Sequence, residues 1–319
     1  MRISVVVPVY NGARTLTELV ARLQRVLDVA TDEYEVILVN DGSPDSSWQV
    51  IQELTRIHPW VRTFNLMKNY GQHNALLCGI RAARYEAVVT LDDDLQHPPE
   101  EIPKLVAQLE SYDVVYGKPA KEEHDRWRRI ASRLTKLALQ GAMGAETATN
   151  VSAFRAFRTV IRDAFESYRG PFVSIDVLLT WGSSAFTTVT VNHLPRPAGA
   201  SNYTVRKLVR HALNMMTGFS VIPLQLASLS GFILTLLGLV LLTYVILRYF
   251  TEKGGVPGFP FLASVIIIFS GAQLFALGII GEYLARIHFR VMDRPPYVVR
   301  ERRMEREIAS TARASQRGG

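Results

Sequence analysis

The first half of the chain alternates between short apolar runs and stretches whose apolar positions recur at helical spacing. Residues 3–9, 35–40, 61–66, 87–92 and 113–116 are rich in Val, Ile and Leu and read as strands. Residues 15–29, 46–57, 73–83 and 99–109 repeat apolar side chains every three or four positions and read as helices. Such alternation predicts an α/β fold with a doubly wound, mostly parallel sheet. A ligand site is expected beyond the carboxyl ends of its strands. The residues there are Tyr10-Asn11-Gly12, Asn40-Asp41-Gly42-Ser43 and Asp92-Asp93-Asp94, all small, polar or acidic apart from Tyr10. No G-x-G-x-x-G follows the first strand, which argues against a nicotinamide or flavin enzyme.

The pattern changes after Tyr203. Val205, Leu208, Val209, Ala212, Leu213, Met216 and Phe219 fall on one helical face, with Arg206, Lys207, Arg210 and His211 on the others. This suits an interfacial helix on anionic lipid, and equally a surface helix of the first domain, because periodicity does not separate the two. Segments 224–250 and 259–287 are each long enough to cross a hydrocarbon core of roughly 30 Å. Residues 251–258 leave room only for a turn, so the two spans form a hairpin. Arginines from Arg286 to Arg317 outweigh Glu252 and Lys253 in the turn, which places both termini in the cytoplasm. Ala227, Gly231 and Thr235, with Ala272 and Ala276, are small residues at four-residue spacing that permit close helix packing. Gln273 and Glu282 are polar residues in the second span, and Glu282 is expected to find a headgroup or helix partner. The expected organisation is an α/β domain at 1–203, an interfacial helix at 204–222, a transmembrane hairpin at 223–287 and a basic cytoplasmic tail at 288–319.

The formal net charge of +7 is concentrated toward the C-terminal half. Basic residues flanking membrane spans account for it without nucleic acid. The single cysteine, Cys78, excludes an internal disulfide and fits a buried thiol in a helix. The first strand begins two residues from the start, leaving no room for a cleaved signal peptide, so the first domain is expected in the cytoplasm. Two carboxylates one residue apart at a strand end, as in Asp92 and Asp94, can hold Mg²⁺ or Mn²⁺ while leaving positions open for phosphate oxygens. Taken alone, the triplet also suits the start of the helix that Pro98-Pro99-Glu100-Glu101 opens.

Taken in order, Pro8-Val9-Tyr10-Asn11, Asn40-Asp41-Gly42-Ser43 and Asp92-Asp93-Asp94-Leu95-Gln96 resemble family 2 glycosyltransferases of the GT-A fold. Lys68-Asn69-Tyr70-Gly71-Gln72-His73, the paired spans, Gly281-Glu282-Tyr283 and Arg294-Pro295-Pro296-Tyr297 narrow the resemblance to polyprenyl-phosphate glycosyltransferases. That resemblance implies a cell-envelope enzyme of the inner membrane. It would move a glycosyl group from a nucleotide sugar to polyprenyl phosphate, such as undecaprenyl phosphate, with inversion. UDP is favoured over GDP, and a homo-oligomer, in the form of a tetramer, is implied as well. Pro8, Tyr10, Val39, Asp41 and Asp93 would bind the donor. Asp92 would contact its ribose and diphosphate, and Asp94 and Gln96 would ligate the metal. Lys118, Arg128 and Ser132 would hold the acceptor phosphate. Arg196, opening Arg196-Pro197-Ala198-Gly199-Ala200-Ser201-Asn202-Tyr203, would meet the donor diphosphate. Gly12 departs from the Glu common in the family, and 150–155 lacks a carboxylate to act as base. Glu123-His124-Asp125-Arg126-Trp127 approaches the Q-x-x-R-W of processive polysaccharide synthases but has Glu for Gln, and two spans make no evident polymer channel. Intact Asp92, Asp94 and Gln96 weigh against a non-catalytic scaffold.

Overall fold

The computed structural model describes residues 1–119, 151–170, 173–194, 222–251 and 258–303. In chain order the elements are β1 (Ile3–Val9), α1 (Leu16–Ala30), β2 (Tyr34–Asn40), α2 (Ser47–Ile57), β3 (Val61–Leu66), α3 (Gln72–Ala82), β4 (Ala87–Thr90) and α4 (Ile102–Ala107). There follow β5 (Val114–Pro119), β6 (Arg155–Arg158), α5 (Ile175–Gly182), β7 (Phe186–Val191), α6 (Ile222–Thr251), α7 (Phe259–Val291) and β8 (Val299–Arg303). Eight strands form one sheet in the order β7-β5-β6-β4-β1-β2-β3-β8. The pairs β1–β2, β1–β4, β2–β3 and β5–β7 are parallel, while β6 and β8 run antiparallel to their neighbours.

Successive strand residues point to opposite faces, so a sheet covered on both sides needs apolar residues at nearly every position. Along β1, Val5, Val7 and Val9 join a core with Leu19, Leu23, Ile51 and Leu105 of α1, α2 and α4. Val6 faces the other way, onto Leu76, Ile80 and Leu178 of α3 and α5. The doubly wound arrangement expected from the alternation is present. Cys78 is buried in the second core, as its helical setting implied.

The structure also departs from the pattern. β4 ends at Thr90 rather than at 92, and the chain leaves the sheet to form the acidic turn. The helix expected over 99–109 is split, with α4 flanked by 3-10 turns at Pro99–Glu101 and Gln108–Glu110. Pro103, lacking an N–H and with fixed φ, belongs in the first turn of a helix and so favours a start at Ile102. The strands β6, β7 and β8 were not anticipated. Among them β8 matters most, because it falls in the stretch read as a basic tail and pairs with β3.

α6 and α7 are long and apolar enough to cross a membrane, and nearly all of that length lies outside the protein core. A Cβ on Gly238 would come within 3.1 Å of the Phe269 ring, so the helices approach closely there. Gly231, expected at a packing seam, has open space at its Cα. Glu282 pairs with Arg286 one turn along its own helix, at 2.8 Å. After α7 the chain returns to the sheet. Asp293 pairs with Arg169 at 2.9 Å, the Tyr297 ring lies under Arg81 at 5.9 Å, and Met67 N–H donates to Val298 O at 2.9 Å.

Among the described residues the largest fully buried side chain is Arg155 of β6, whose guanidinium donates to Asp176 at the start of α5. Tyr116 OH donates to the same carboxylate at 3.1 Å, and its phenol is pushed well above its ordinary range, chiefly by burial. Removing one partner of a buried ion pair strands the other charge without water. Asp176→Ala should therefore destabilise the protein by about 3–5 kcal/mol, measured by chemical or thermal unfolding of the solubilised protein.

Candidate active site

The carboxyl ends of β1, β2 and β4 meet where the strand order reverses about β1, and a cleft opens there. It is lined by Pro8, Val9, Tyr10, Asp41, Asn69, Gly71, Gln72, Asp92, Asp93 and Asp94. Tyr10 is half exposed at its edge and presents an open aromatic ring. The turn after β1 uses its own N–H groups internally. Asn11 N–H donates to Ser43 Oγ at 3.2 Å, Gly12 N–H to Ser47 Oγ at 3.0 Å and Ala13 N–H to Asp45 Oδ2 at 3.4 Å. Those amides are committed to side chains of the β2–α2 loop and of Ser47, the first residue of α2, unlike the phosphate cradles of glycine-rich loops.

Asp41 is 3 % exposed, and burial pushes its carboxyl above the usual range. Opposing that shift, its oxygens accept N–H groups of Tyr70 at 2.7 Å and Gly71 at 2.8 Å. Gly42 makes this contact feasible. Its φ is +63°, and a Cβ there would sit 2.5 Å from the Lys68 carbonyl carbon. With the 68–71 segment drawn in, Gln72 opens α3 at the cleft, and its Nε2 donates to Asp92 Oδ1 at 2.6 Å.

The acidic turn is fixed by Leu95, an apolar residue at φ +60° whose side chain is buried in the core. A left-handed Leu is strained backbone, held by the packing around it. Asp94 Oδ1 accepts the Gln96 N–H at 3.1 Å, and Gln96 O accepts the Leu194 N–H at 2.9 Å. His97 packs between Phe154 and His193 and is pushed down to about 4, first by burial and then by His193. The Asp93 carboxyl is pushed up to about 7 by burial and then by the Asp92 charge. Crowded carboxylates of this kind favour a nearby cation.

Of the residues expected from sequence, Pro8, Tyr10, Asp41, Asp92, Asp93 and Asp94 line the one cleft. Val39 does not line it, because its side chain is packed in the core beneath α3. Gln96 shares the turn with Asp94 but lies outside the cleft lining. Lys118 stands near the end of β5, at the same carboxyl edge of the sheet but beyond β6. Arg128, Ser132, Arg196 and the amphipathic stretch 205–219 lie outside the described residues. Sequence reasoning gave no role to Asn69, Gly71 or Gln72, although their motif was visible. It also missed His193 and Leu194, for which no local signal existed. Among the described residues no three His, Cys, Asp or Glu side chains converge as a closed metal cage. An all-oxygen set drawn from one turn nonetheless fits Mg²⁺ or Mn²⁺ when substrate phosphates complete the shell.

The model of the glycosyl transferase family 2 matches residues 4–169. The chain belongs to that family. It is 35% identical over 302 residues to the undecaprenyl-phosphate 4-deoxy-4-formamido-L-arabinose transferase of Pseudomonas savastanoi pv. phaseolicola, covering 93% of this chain and 89% of that protein. The transferase of the same name from Enterobacter sp. is 35% identical over 321 residues, covering 99% and 97%. Among solved structures, the glucosyl-3-phosphoglycerate synthase of Mycobacterium tuberculosis, in complex with Mn²⁺, UDP and glucosyl-3-phosphoglycerate, superposes with a TM-score of 0.51 at 18% identity. That match covers 68% of this chain and 77% of the synthase. The protein is thus a family 2 glycosyltransferase with a GT-A catalytic fold, as its ordered strand-end motifs implied.

The Asp41 bridge makes a direct prediction. Asp41→Ala leaves the Tyr70 and Gly71 amides without acceptors and should cost about 1–3 kcal/mol. Hydrogen exchange should show those two amides opening faster while the strands of the sheet keep their protection.

Proposed function

We propose that the enzyme transfers a glycosyl group from a nucleotide diphosphate sugar, with UDP favoured, to polyprenyl phosphate at the cytoplasmic face of a membrane. One observation carries the proposal: the cleft at the β1, β2 and β4 ends gathers carboxylates and an open aromatic ring in a chain that continues into an apolar hairpin. The relatives' names point to undecaprenyl phosphate as the acceptor.

In this reading Tyr10 and Asp41 receive the nucleoside, and Asp92, oriented by Gln72, meets the ribose and diphosphate. Asp94 and Gln96 would hold Mg²⁺ or Mn²⁺, which would neutralise charge growing on the departing diphosphate. Arg196 meets the same diphosphate, while Lys118, Arg128 and Ser132 grip the lipid phosphate. The acceptor's phosphate oxygen forms the new bond to the anomeric carbon as the bond to the diphosphate breaks, giving inversion and releasing the nucleoside diphosphate. An ionised phosphate oxygen is already a nucleophile, so a protein base is not required. The 150–155 segment offers none, and its Arg155 is committed to Asp176. Both termini lie in the cytoplasm, and homo-oligomerisation remains part of this reading.

A panel of nucleotide sugars tested with purified protein, undecaprenyl phosphate and Mn²⁺ should yield glycosyl lipid from a UDP-sugar. Product from none of them would reject the donor assignment. Asp94→Asn should lower transfer by about a hundredfold or more, the scale expected when stabilisation of developing charge is lost. Its melting temperature should stay near that of the native protein, and metal-dependent turnover at the native rate would remove Asp94 as a ligand.

Orientation is testable by thiol labelling, because Cys78 is buried and burial pushes its thiol up to about 12. It should stay silent toward an impermeant maleimide. Gly255→Cys in the turn should label from outside the membrane, whereas Ala309→Cys should label only after permeabilisation. Outside labelling at 309 would overturn the topology.

A further inference from the structure

Gly12 and Asp93 are packed closely against each other beside the cleft. A Cβ at Gly12 would lie 2.2 Å from Asp93 Oδ2, 3.0 Å from its Cγ and 3.3 Å from Val9 Cγ1. The Asp93 carboxyl therefore fills the volume in which any side chain at 12 would begin. Gly12 has no room to retreat. Its N–H donates to Ser47 Oγ at 3.0 Å, and its carbonyl accepts Thr15 N–H at 3.0 Å, Leu16 N–H at 3.2 Å and Thr15 Oγ1 at 3.1 Å. A side chain there would have to displace the carboxyl instead. That carboxyl accepts the Tyr10 N–H at 3.3 Å, a bond that joins the Tyr10 main chain to the acidic turn. β1 and β4 are neighbours in the sheet, but their ladder ends at Val6 and Thr90, so the chain beyond is held by other means.

We propose that Asp93 is a positioning residue: its carboxyl latches the end of β1 to the acidic turn and so seats Tyr10 against the donor nucleoside, and Gly12 is the space the latch requires. The inference rests on the donor-site reading above. It replaces a direct donor contact by Asp93 with an action through Tyr10, and it gives the glycine at 12 a reason of its own. The requirement at 12 is room rather than backbone freedom, since Gly12 is not among the residues with positive φ.

The test is a double-mutant cycle on full-length, detergent-solubilised enzyme, using Gly12→Ala, Asp93→Ala and the pair, with Asp93→Asn as the conservative variant. Each protein is melted without ligand and titrated calorimetrically with UDP in Mn²⁺. Gly12→Ala and Asp93→Ala should each weaken UDP binding by about tenfold, and the pair should be no worse than Asp93→Ala alone, as expected for residues in contact. Asp93→Asn keeps an acceptor for the Tyr10 N–H and should recover most of what Asp93→Ala loses. The KM for the nucleotide sugar should rise in the weakened variants with kcat less affected. Losses that multiply, a Gly12→Ala protein indistinguishable from native, or an Asp93→Ala protein that melts earlier yet binds UDP normally would each overturn the proposal. A native protein that binds no UDP would instead reject the donor reading, and the ligand-free melting cycle would still decide whether the two residues are coupled.

Discussion

A buried carboxylate must have its hydrogen bonds met, and Asp41 meets its own by accepting the N–H groups of Tyr70 and Gly71. The bond joins the end of β2 to the segment that leads into α3, and Gln72 follows at the first turn of that helix. From there the amide of Gln72 reaches Asp92 across the cleft. Three strand ends that share no ladder beyond the sheet are thus connected through side chains, in the sequence Asp41, Gln72, Asp92. The sheet brings the strand ends within reach of one another, and these contacts set the distances between them.

The sheet itself is held by two separate cores, and the division decides where polar groups can survive. Alternate valines of β1 serve α1, α2 and α4 on one face and α3 and α5 on the other. With both faces apolar, charged residues either leave at the strand ends or remain inside as matched pairs. The first course produces the acidic turn. The second produces Arg155–Asp176 and Glu35–Arg62, the latter at 2.6 Å with Ser4 Oγ also donating to Glu35. Leu95 links the two courses, because its side chain is anchored in the core while its left-handed backbone turns the neighbouring carboxylates outward.

Much of this was legible in the sequence wherever one local pattern carried the information. Short runs rich in β-branched and apolar residues marked β1 to β5, because a strand covered on both faces buries most of its side chains. The residues after them marked the cleft because a doubly wound sheet opens there. Residues placed by partners far along the chain were not legible. Arg155 to Arg158 forms a central strand despite two arginines, because Arg155 finds Asp176. Val39 was placed with the donor residues by the resemblance alone, and its side chain is packed in the core. Gln72 stood in a motif with no stated role until the fold placed it against Asp92.

β8 has a further consequence for how the protein is made. The edge of β3 is covered by a strand more than two hundred positions later, as in the bond from the Arg300 side chain to Met67 O. Everything between, including both long apolar helices, is synthesised first. During translation the growing catalytic domain therefore carries an open sheet edge, the kind of surface that templates pairing with other chains. The domain can close that edge only after both apolar helices have emerged, because β8 follows them in the chain. Non-local pairing of this kind is slow, and it ties completion of the sheet to the placement of the two apolar helices. A chain whose apolar helices were misplaced would have β8 tethered to them, leaving the edge of β3 exposed to association.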